Sequence, residues 1–220
     1  MDAPLSGTAL VFAGGDAVPP AVARRLPPDA LVIGADSGIE HAHALGRHVD
    51  VAVGDFDSVS PTALAAAEAA GAQVLRHPIA KDATDLELAL DVAAAHGVER
   101  ITIVGGHGGR FDHYLANVLL LGSARFAQFA VDAWFGDAQL RVVRRRARLI
   151  GRIGSLVTLL AAEGPALGVT TTGLRYPLVE SVLLPGSTLG VSNELVASEA
   201  TIAVGGGTVL TIQPDALRDV

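Results

Sequence analysis

Short, largely apolar runs punctuate the first two-thirds of the chain, at residues 8–13, 30–35, 50–54, 73–76 and 100–104. They lack the alternation of a half-solvated strand, so they read as strands buried on both faces. Helix signals fill the gaps. Ser37-Gly38-Ile39-Glu40 matches a capping box and opens a helix to about residue 45, closed by Gly46. Ser60 as N-cap and Pro61 at the first helical position open a helix over 61–70, stopped by Gly71. Thr84-Asp85-Leu86-Glu87 is a second capping box, for a helix to about His96. A fourth helix is expected over about 112–121. Strands alternating with helices imply an α/β domain: a mostly parallel, doubly wound sheet covered on both faces.

The rhythm then changes. Residues 129–135 and 140–143 look like a hairpin turning at Gly136-Asp137. From Ile153 onward there is no helical period, only β-rich pieces at 155–161, 167–172, 201–204 and 208–212. Turns are expected at Gly164-Pro165, Pro185-Gly186 and 205–207. This predicts a small all-β unit, an antiparallel sandwich or barrel. The division is expected near 144–151, giving domains 1–147 and 148–220, with Arg144, Arg145, Arg146 and Arg148 as a solvated connection.

Composition narrows the classes. Half of the 220 residues are hydrophobic, enough for a filled core. The net charge of -7 argues against a general binder of nucleic acid or anionic membranes. Without cysteine there is no disulfide and no thiolate chemistry. No apolar stretch is long enough to span a bilayer, and Met1-Asp2-Ala3-Pro4 lacks the pattern of a signal peptide, so a cytoplasmic protein is expected. Of the 16 basic residues only Lys81 is lysine, which makes it a candidate position for an ammonium, though a single residue does not establish one.

Candidate chemistry gathers where strands give way to helices. Asp55 and Asp57 stand one residue apart after the third run, at the end of a strand where open α/β sheets bind ligands. Paired hard oxygens suit Mg²⁺ carrying a phosphate chain; equally, they suit a polar turn that caps the next helix. Asp36, Asp85 and Asp112 occupy similar junctions, each open to reading as a strand end, a dipole-favoured carboxylate or an N-cap. Lys81 and Thr84 precede Asp85 and would add an ammonium and a hydroxyl. The glycine run 105–109 can bring backbone N–H groups close to phosphate, although it is neither a Walker A nor a Rossmann fingerprint. Arg110 either neutralises phosphoryl charge or pairs with Asp112 on the surface, and His107 and His113 read as local hydrogen-bonders. Farther on, Tyr176 can stack on a heteroaromatic ring, and Ser192-Asn193-Glu194 can hydrogen-bond one or simply form turns.

Taken in order, these segments resemble the thiamine pyrophosphokinase family. The resemblance rests on Gly54-Asp55-Phe56-Asp57-Ser58, Lys81-Asp82-Ala83-Thr84-Asp85, Gly108-Gly109-Arg110-Phe111-Asp112-His113 with Leu115-Ala116-Asn117, Thr172-Gly173-Leu174-Arg175-Tyr176-Pro177-Leu178 and Ser192-Asn193-Glu194. It covers nearly the whole chain. It implies an α/β nucleotide domain followed by a β-sandwich, and transfer of the diphosphate of ATP to the thiamine hydroxyl with release of AMP. By position, Asp55, Asp57 and Asp85 would hold Mg²⁺. Asp36, Thr84, Gly108, Gly109, Arg110 and Asp112 would bind and orient ATP, and Lys81 would lie near the reacting groups. Tyr176, Ser192 and Asn193 would contact thiamine between the subunits of a homodimer. The family often carries tryptophan where this chain has Tyr176. A pyrophosphokinase for another heterocyclic alcohol, such as a pterin, and a non-catalytic binding module are the alternatives.

Overall fold

The computed structural model describes residues 7–218; Met1-Asp2-Ala3-Pro4, read above for a leader, lies outside the described residues. The chain divides into two compact units. One comprises residues up to 117 with 129–136, the other 118–128 with 137 onward.

The first unit is built on a parallel sheet of β1 (Thr8–Ala13), β2 (Leu31–Ala35), β3 (Val51–Gly54), β4 (Gln73–Arg76), β5 (Arg100–Gly105) and β6 (Ala130–Phe135). The spatial order is 4-3-2-1-5-6. Winding runs outward from β1 to β4, then jumps back across β1 to β5, so order reverses between β1 and β5. A crevice opens at the carboxyl ends of strands at such a point. Residues 9–12 of β1 are wholly buried, as expected of a central parallel strand. The strands expected on either side of Gly136-Asp137 form, and β6 has a further partner that the sequence did not reveal: it runs parallel to β5, from Arg100 opposite Ala130 to Val104 opposite Trp134. Its Val131, Ala133, Trp134 and Phe135 are all buried, which fits a strand covered on both faces.

Four α-helices follow strands: α1 (Gly38–Ala44), α2 (Pro61–Ala69), α3 (Asp85–Ala95) and α4 (Phe111–Gly122). α1 packs on β1 and β2, and α3 on β1, β2 and β3. Two predicted caps form: Ser60 Oγ accepts from Ala63 N at 3.2 Å, and Thr84 Oγ1 accepts from Glu87 N at 3.2 Å. The Ser37–Glu40 capping box does not. Asp36 has a left-handed φ of 47° and turns the chain so sharply that Ser37 is already helical, with no capping bond from its side chain. Glu40 instead accepts from Ser60 N at 2.9 Å, tying α1 to the start of α2. Glycine at 38 allows this close entry, because a Cβ there would lie 2.0 Å from Phe12 O.

The second unit is antiparallel. β7 (Ala138–Val143) pairs with β13 (Gly206–Gln213), β13 with β9 (Leu156–Thr172), β9 with β12 (Glu199–Ala203), and β12 with β8 (Arg146–Ile150). Short β10 (Ser181–Leu183) and β11 (Asn193–Glu194) also pair with β9. β9 thus serves four strands, two of them in longer ladders. Residues 158–162 face β13 and 170–172 face β12. Val157, Leu159 and Val169 of β9 meet Leu149 of β8, Ile202 of β12 and Val209 of β13 in one buried cluster. The α/β-then-β fold class is borne out, with two corrections. Gly164-Pro165 is not a turn: it lies in an irregularity of β9, where Ala162 pairs with Thr208 and Leu167 with Gly206, so Pro165 owes the ladder no N–H. The arginine cluster is a connection only in part: Arg144 and Arg145 link β7 to β8, whereas Arg146 and Arg148 lie exposed on β8 itself beside buried Leu149, and Arg144 Nη2 caps the end of α4 by donating to Gly122 O (3.0 Å) and Ser123 O (2.9 Å).

Candidate active site

Two left-handed residues aim the acidic groups. Asp36 donates its N–H to Val53 O at 2.9 Å, clamping the ends of β2 and β3 together. Beyond β3, Phe56 takes a φ of 63° beneath the Arg76 guanidinium, 5.1 Å from its ring centroid. Such conformations cost about 1–3 kcal/mol each and persist where surrounding contacts hold them. Asp55 and Asp57 flank this turn. Asp57 N donates to Asp55 Oδ1 (3.3 Å), and Ser58 Oγ donates to Asp57 Oδ1 (2.8 Å). As a result, one oxygen from each of Asp36, Asp55 and Asp57 lies within 4.8 Å of the other two.

Lys81 arrives from the loop between β4 and α3. Its Nζ donates to Asp55 Oδ2 at 2.5 Å and lies 3.0 Å from Asp85 Oδ1. The second contact is an ion pair off the hydrogen-bonding direction, for Asp85 Oδ1 has no hydrogen-bond partner. The Lys81 hydrogen bond holds the Asp55 carboxyl below its usual range. Burial opposes the charge on Lys81, but its bonds to Asp55 and Asp85 outweigh this and raise its pKa. Asp36 is raised, first by burial and also by the charge of Asp85, against the lowering effect of the Ser37 backbone N–H.

The glycine run closes the other side. Gly106 N donates to Gly14 O at 2.7 Å and Asp16 N to His107 O at 2.8 Å, stitching the β5 loop to the β1 loop across the reversal point. At Gly105, φ is 87° and a Cβ would meet Ala13 O at 2.2 Å, so glycine is required for this contact between loops. Asn117 Nδ2 donates to Gly106 O at 3.0 Å and braces the run from α4. The expectation for His107 is amended: its Nδ1 is buried without a partner, and burial depresses its pKa.

These elements enclose a cavity of about 660 Å³. Asp36, Asp55, Asp57, Lys81, Thr84, Asp85, Gly108, Gly109 and Arg110 all line it, as the sequence suggested. Asp112 does not; it is exposed and binds Arg110 Nη2 at 2.6 Å, which lowers its pKa to about 2. Sequence reasoning missed Tyr114, which lines the cavity and stands edge-on to Phe135 at 5.3 Å between ring centroids. A signal existed: His113, Tyr114 and Asn117 recur at helical spacing on the cavity side of α4, continuing from Arg110 just before it.

In the second unit, Tyr176 is 61% exposed, while Asn193 is 4% exposed and fully engaged. Asn193 Oδ1 accepts from Tyr176 N (3.0 Å) and Glu194 N (2.9 Å), and its Nδ2 donates to Tyr176 O (2.7 Å). Its amide therefore shapes the Tyr176 loop. Ser192 is exposed with a left-handed φ of 57°, and its N–H donates to Thr158 Oγ1 at 3.2 Å.

The donor set fits a hard divalent cation. Four carboxylates face one ammonium; Asp85 Oδ1 is engaged by Lys81, whereas the buried Asp36 Oδ1 lacks a hydrogen-bond partner. Buried polar oxygens are rarely left unpaired, so Asp36 has capacity for a ligand.

The chain is also similar to known proteins. Residues 23–132 match the model of the thiamin pyrophosphokinase catalytic domain, and 142–209 that of the thiamin pyrophosphokinase vitamin B1 binding domain. Thiamine pyrophosphokinase of Bacillus subtilis is 30% identical over 185 residues, covering 83% of this chain and 86% of the relative. A crystal structure of the Bacillus subtilis enzyme superposes with a TM-score of 0.81 at 29% identity, covering 94% of this chain and 98% of that one. The Geobacillus thermodenitrificans structure gives 0.78 at 27% identity, covering 94% and 96%. With both domain models matched in order and the relative aligned over most of its length, the chain belongs to the thiamine pyrophosphokinase family.

Proposed function

We propose that this chain transfers the terminal diphosphate of ATP to the hydroxyl of thiamine, giving thiamine diphosphate and AMP. The observation that carries the reading is the cavity at the sheet's reversal point, with carboxylates and an ammonium at one wall and a glycine loop at the other. Asp55 and Asp57, with Asp36 close by and Asp85 at the edge, would hold Mg²⁺. Bound there, the ion supplies positive charge that screens the triphosphate and polarises its phosphoryl oxygens.

The thiamine oxygen attacks the β-phosphorus in line. One P–O bond forms, the bond to the α–β bridging oxygen breaks with that oxygen leaving on AMP, and the hydroxyl proton passes to a carboxylate or to water. Catalysis is then mainly positioning and charge neutralisation. Thr84, Gly108 and Gly109 cradle the phosphates at the starts of α3 and α4. Lys81 and Arg110 meet charge on the transferring group, with Asp112 orienting Arg110. Residues 1–147 serve the nucleotide and 148–220 serve thiamine, where Tyr176 offers a ring face, Ser192 a hydroxyl, and Asn193 holds the Tyr176 backbone in place.

Thiamine would lie between the subunits of a homodimer; exposed Val179, Leu184 and Leu189 on the second unit support an unmet apolar contact. Among the described residues no helix is long and apolar enough to cross a membrane. ATP as co-substrate suits work in the cytoplasm.

Incubation with ATP and Mg²⁺, with and without thiamine, tests the reading. Thiamine-dependent AMP, with thiamine diphosphate identified by mass spectrometry, is expected. Nucleotide-dependent stabilisation without AMP would point to a binding module. AMP released only with another alcohol would overturn the acceptor.

A further inference from the structure

We propose that Lys81 is a displaceable counter-ion: its ammonium holds Asp55 and Asp85, and entry of a divalent cation at Asp55 expels it toward the polyphosphate. The inference rests on the reading of Asp55 and Asp57 as metal-holding groups.

Lys81 Nζ sits 2.5 Å from Asp55 Oδ2, and Asp55 belongs to the group of three carboxylates whose oxygens converge within 4.8 Å. The same nitrogen lies 3.0 Å from Asp85 Oδ1. Its side chain is 12% exposed and that of Asp55 is 10% exposed, so the two are held in contact at the cavity wall. A cation that takes Asp55 with both oxygens free must break the Lys81 bond. An ammonium released beside a newly bound cation is repelled by it. The group that relieves that repulsion is the anionic triphosphate arriving with the metal.

Two consequences follow. Metal alone binds weakly, because it must first displace an ammonium from a charge-assisted hydrogen bond. Metal and nucleotide bind cooperatively, because the displaced ammonium gains a phosphate partner that is missing when metal enters alone. Lysine suits this exchange better than arginine, being a compact charge on a flexible stem that can change partners. A chain whose other basic residues are all arginine keeps its single lysine here.

That single lysine makes the test selective. Protein labelled with ¹³Cε,¹⁵Nζ-lysine shows one side-chain ammonium signal, which is followed while Mg²⁺ is added without nucleotide. In parallel, Mn²⁺ binding is measured by electron paramagnetic resonance for wild type, Lys81→Met and the double variant Lys81→Met with Asp57→Asn. The lysine signal is expected to shift in step with metal occupancy. Lys81→Met is expected to bind Mn²⁺ about tenfold tighter than wild type, the worth of one charge-assisted hydrogen bond no longer broken, and Asp57→Asn should abolish that gain.

Equal or weaker Mn²⁺ binding by Lys81→Met would overturn the proposal. So would tighter binding with a lysine signal that stays fixed at metal saturation, since removal of a distant charge would suffice to explain it. Mn²⁺ binding indifferent to Asp57→Asn would instead show that the metal reading of the site is wrong, and the exchange would fall with it.

Discussion

Replacing Asn193 with alanine separates a residue that touches thiamine from one that builds the loop presenting Tyr176. The side chain makes three hydrogen bonds to backbone groups, two to Tyr176 and one to Glu194, at 2.7–3.0 Å. Each neutral bond contributes about 1 kcal/mol net, and a buried group left unpaired costs more. Part of the loss is recovered because water can reach the loop beside the exposed Tyr176. A destabilisation of about 2–3 kcal/mol is therefore expected. Urea unfolding followed by far-UV ellipticity measures it, with the two units fitted as separate transitions if they part. The thiamine KM should rise as well, because the loop loses its shape, while the ATP KM stays near the wild-type value. A variant as stable as wild type to within about 0.5 kcal/mol, yet with a raised thiamine KM, would refute the reasoning and make Asn193 a direct ligand.

Other expectations follow from the same geometry. Asp57→Asn should lower kcat by about 10²–10³ at saturating Mg²⁺ while leaving circular dichroism unchanged; near-normal turnover would count against a metal-holding role. Tyr176→Ala should raise the thiamine KM far more than the ATP KM, and an equal rise in both would sink the stacking role. The Lys81–Asp55 pair also has a pH signature. Asp55 is depressed, so its contribution to stability is present above its unfolded pKa and is lost as pH falls through the folded value. Lys81 is raised, so its contribution is present below 10.5 and is lost as pH rises through the folded value. The stability deficit of Lys81→Met relative to wild type should therefore be broad between about pH 5 and pH 10 and shrink on either side. A deficit independent of pH would contradict an ionic origin.

The first unit was legible because its strands are buried on both faces and its helices carry local start signals. Ser60-Pro61 and Thr84 mark helix starts within a few residues of sequence, and those caps form. Ser37 carried the same signal and failed, because a close approach of α1 to β1 and the left-handed turn at Asp36 overrode it. Such tertiary contacts leave no local trace. The second unit was harder for the same reason. Gly164-Pro165 has turn chemistry, but β9 absorbs it as an irregularity in its pairing with β13. Arg146 and Arg148 are solvated as their composition suggests, yet they belong to strand β8, whose Leu149 is buried.

The candidate site divides along similar lines. Aspartates at the ends of strands were visible as a set, since strand ends of one sheet converge. Which of them share a space was not visible: the fold groups Asp36 with Asp55 and Asp57, and it gives Asp85 to Lys81. Arg110 and Asp112 show the opposite case, where the bland expectation of a surface pair describes the contact the fold makes.

The most direct test of the account is a crystal of the protein with Mn²⁺ and a non-hydrolysable ATP analogue, read by anomalous scattering. The account expects a manganese peak among Asp36, Asp55 and Asp57, with the β-phosphate analogue facing Lys81 and the glycine loop. A peak elsewhere, or a nucleotide bound outside this cavity, would contradict it.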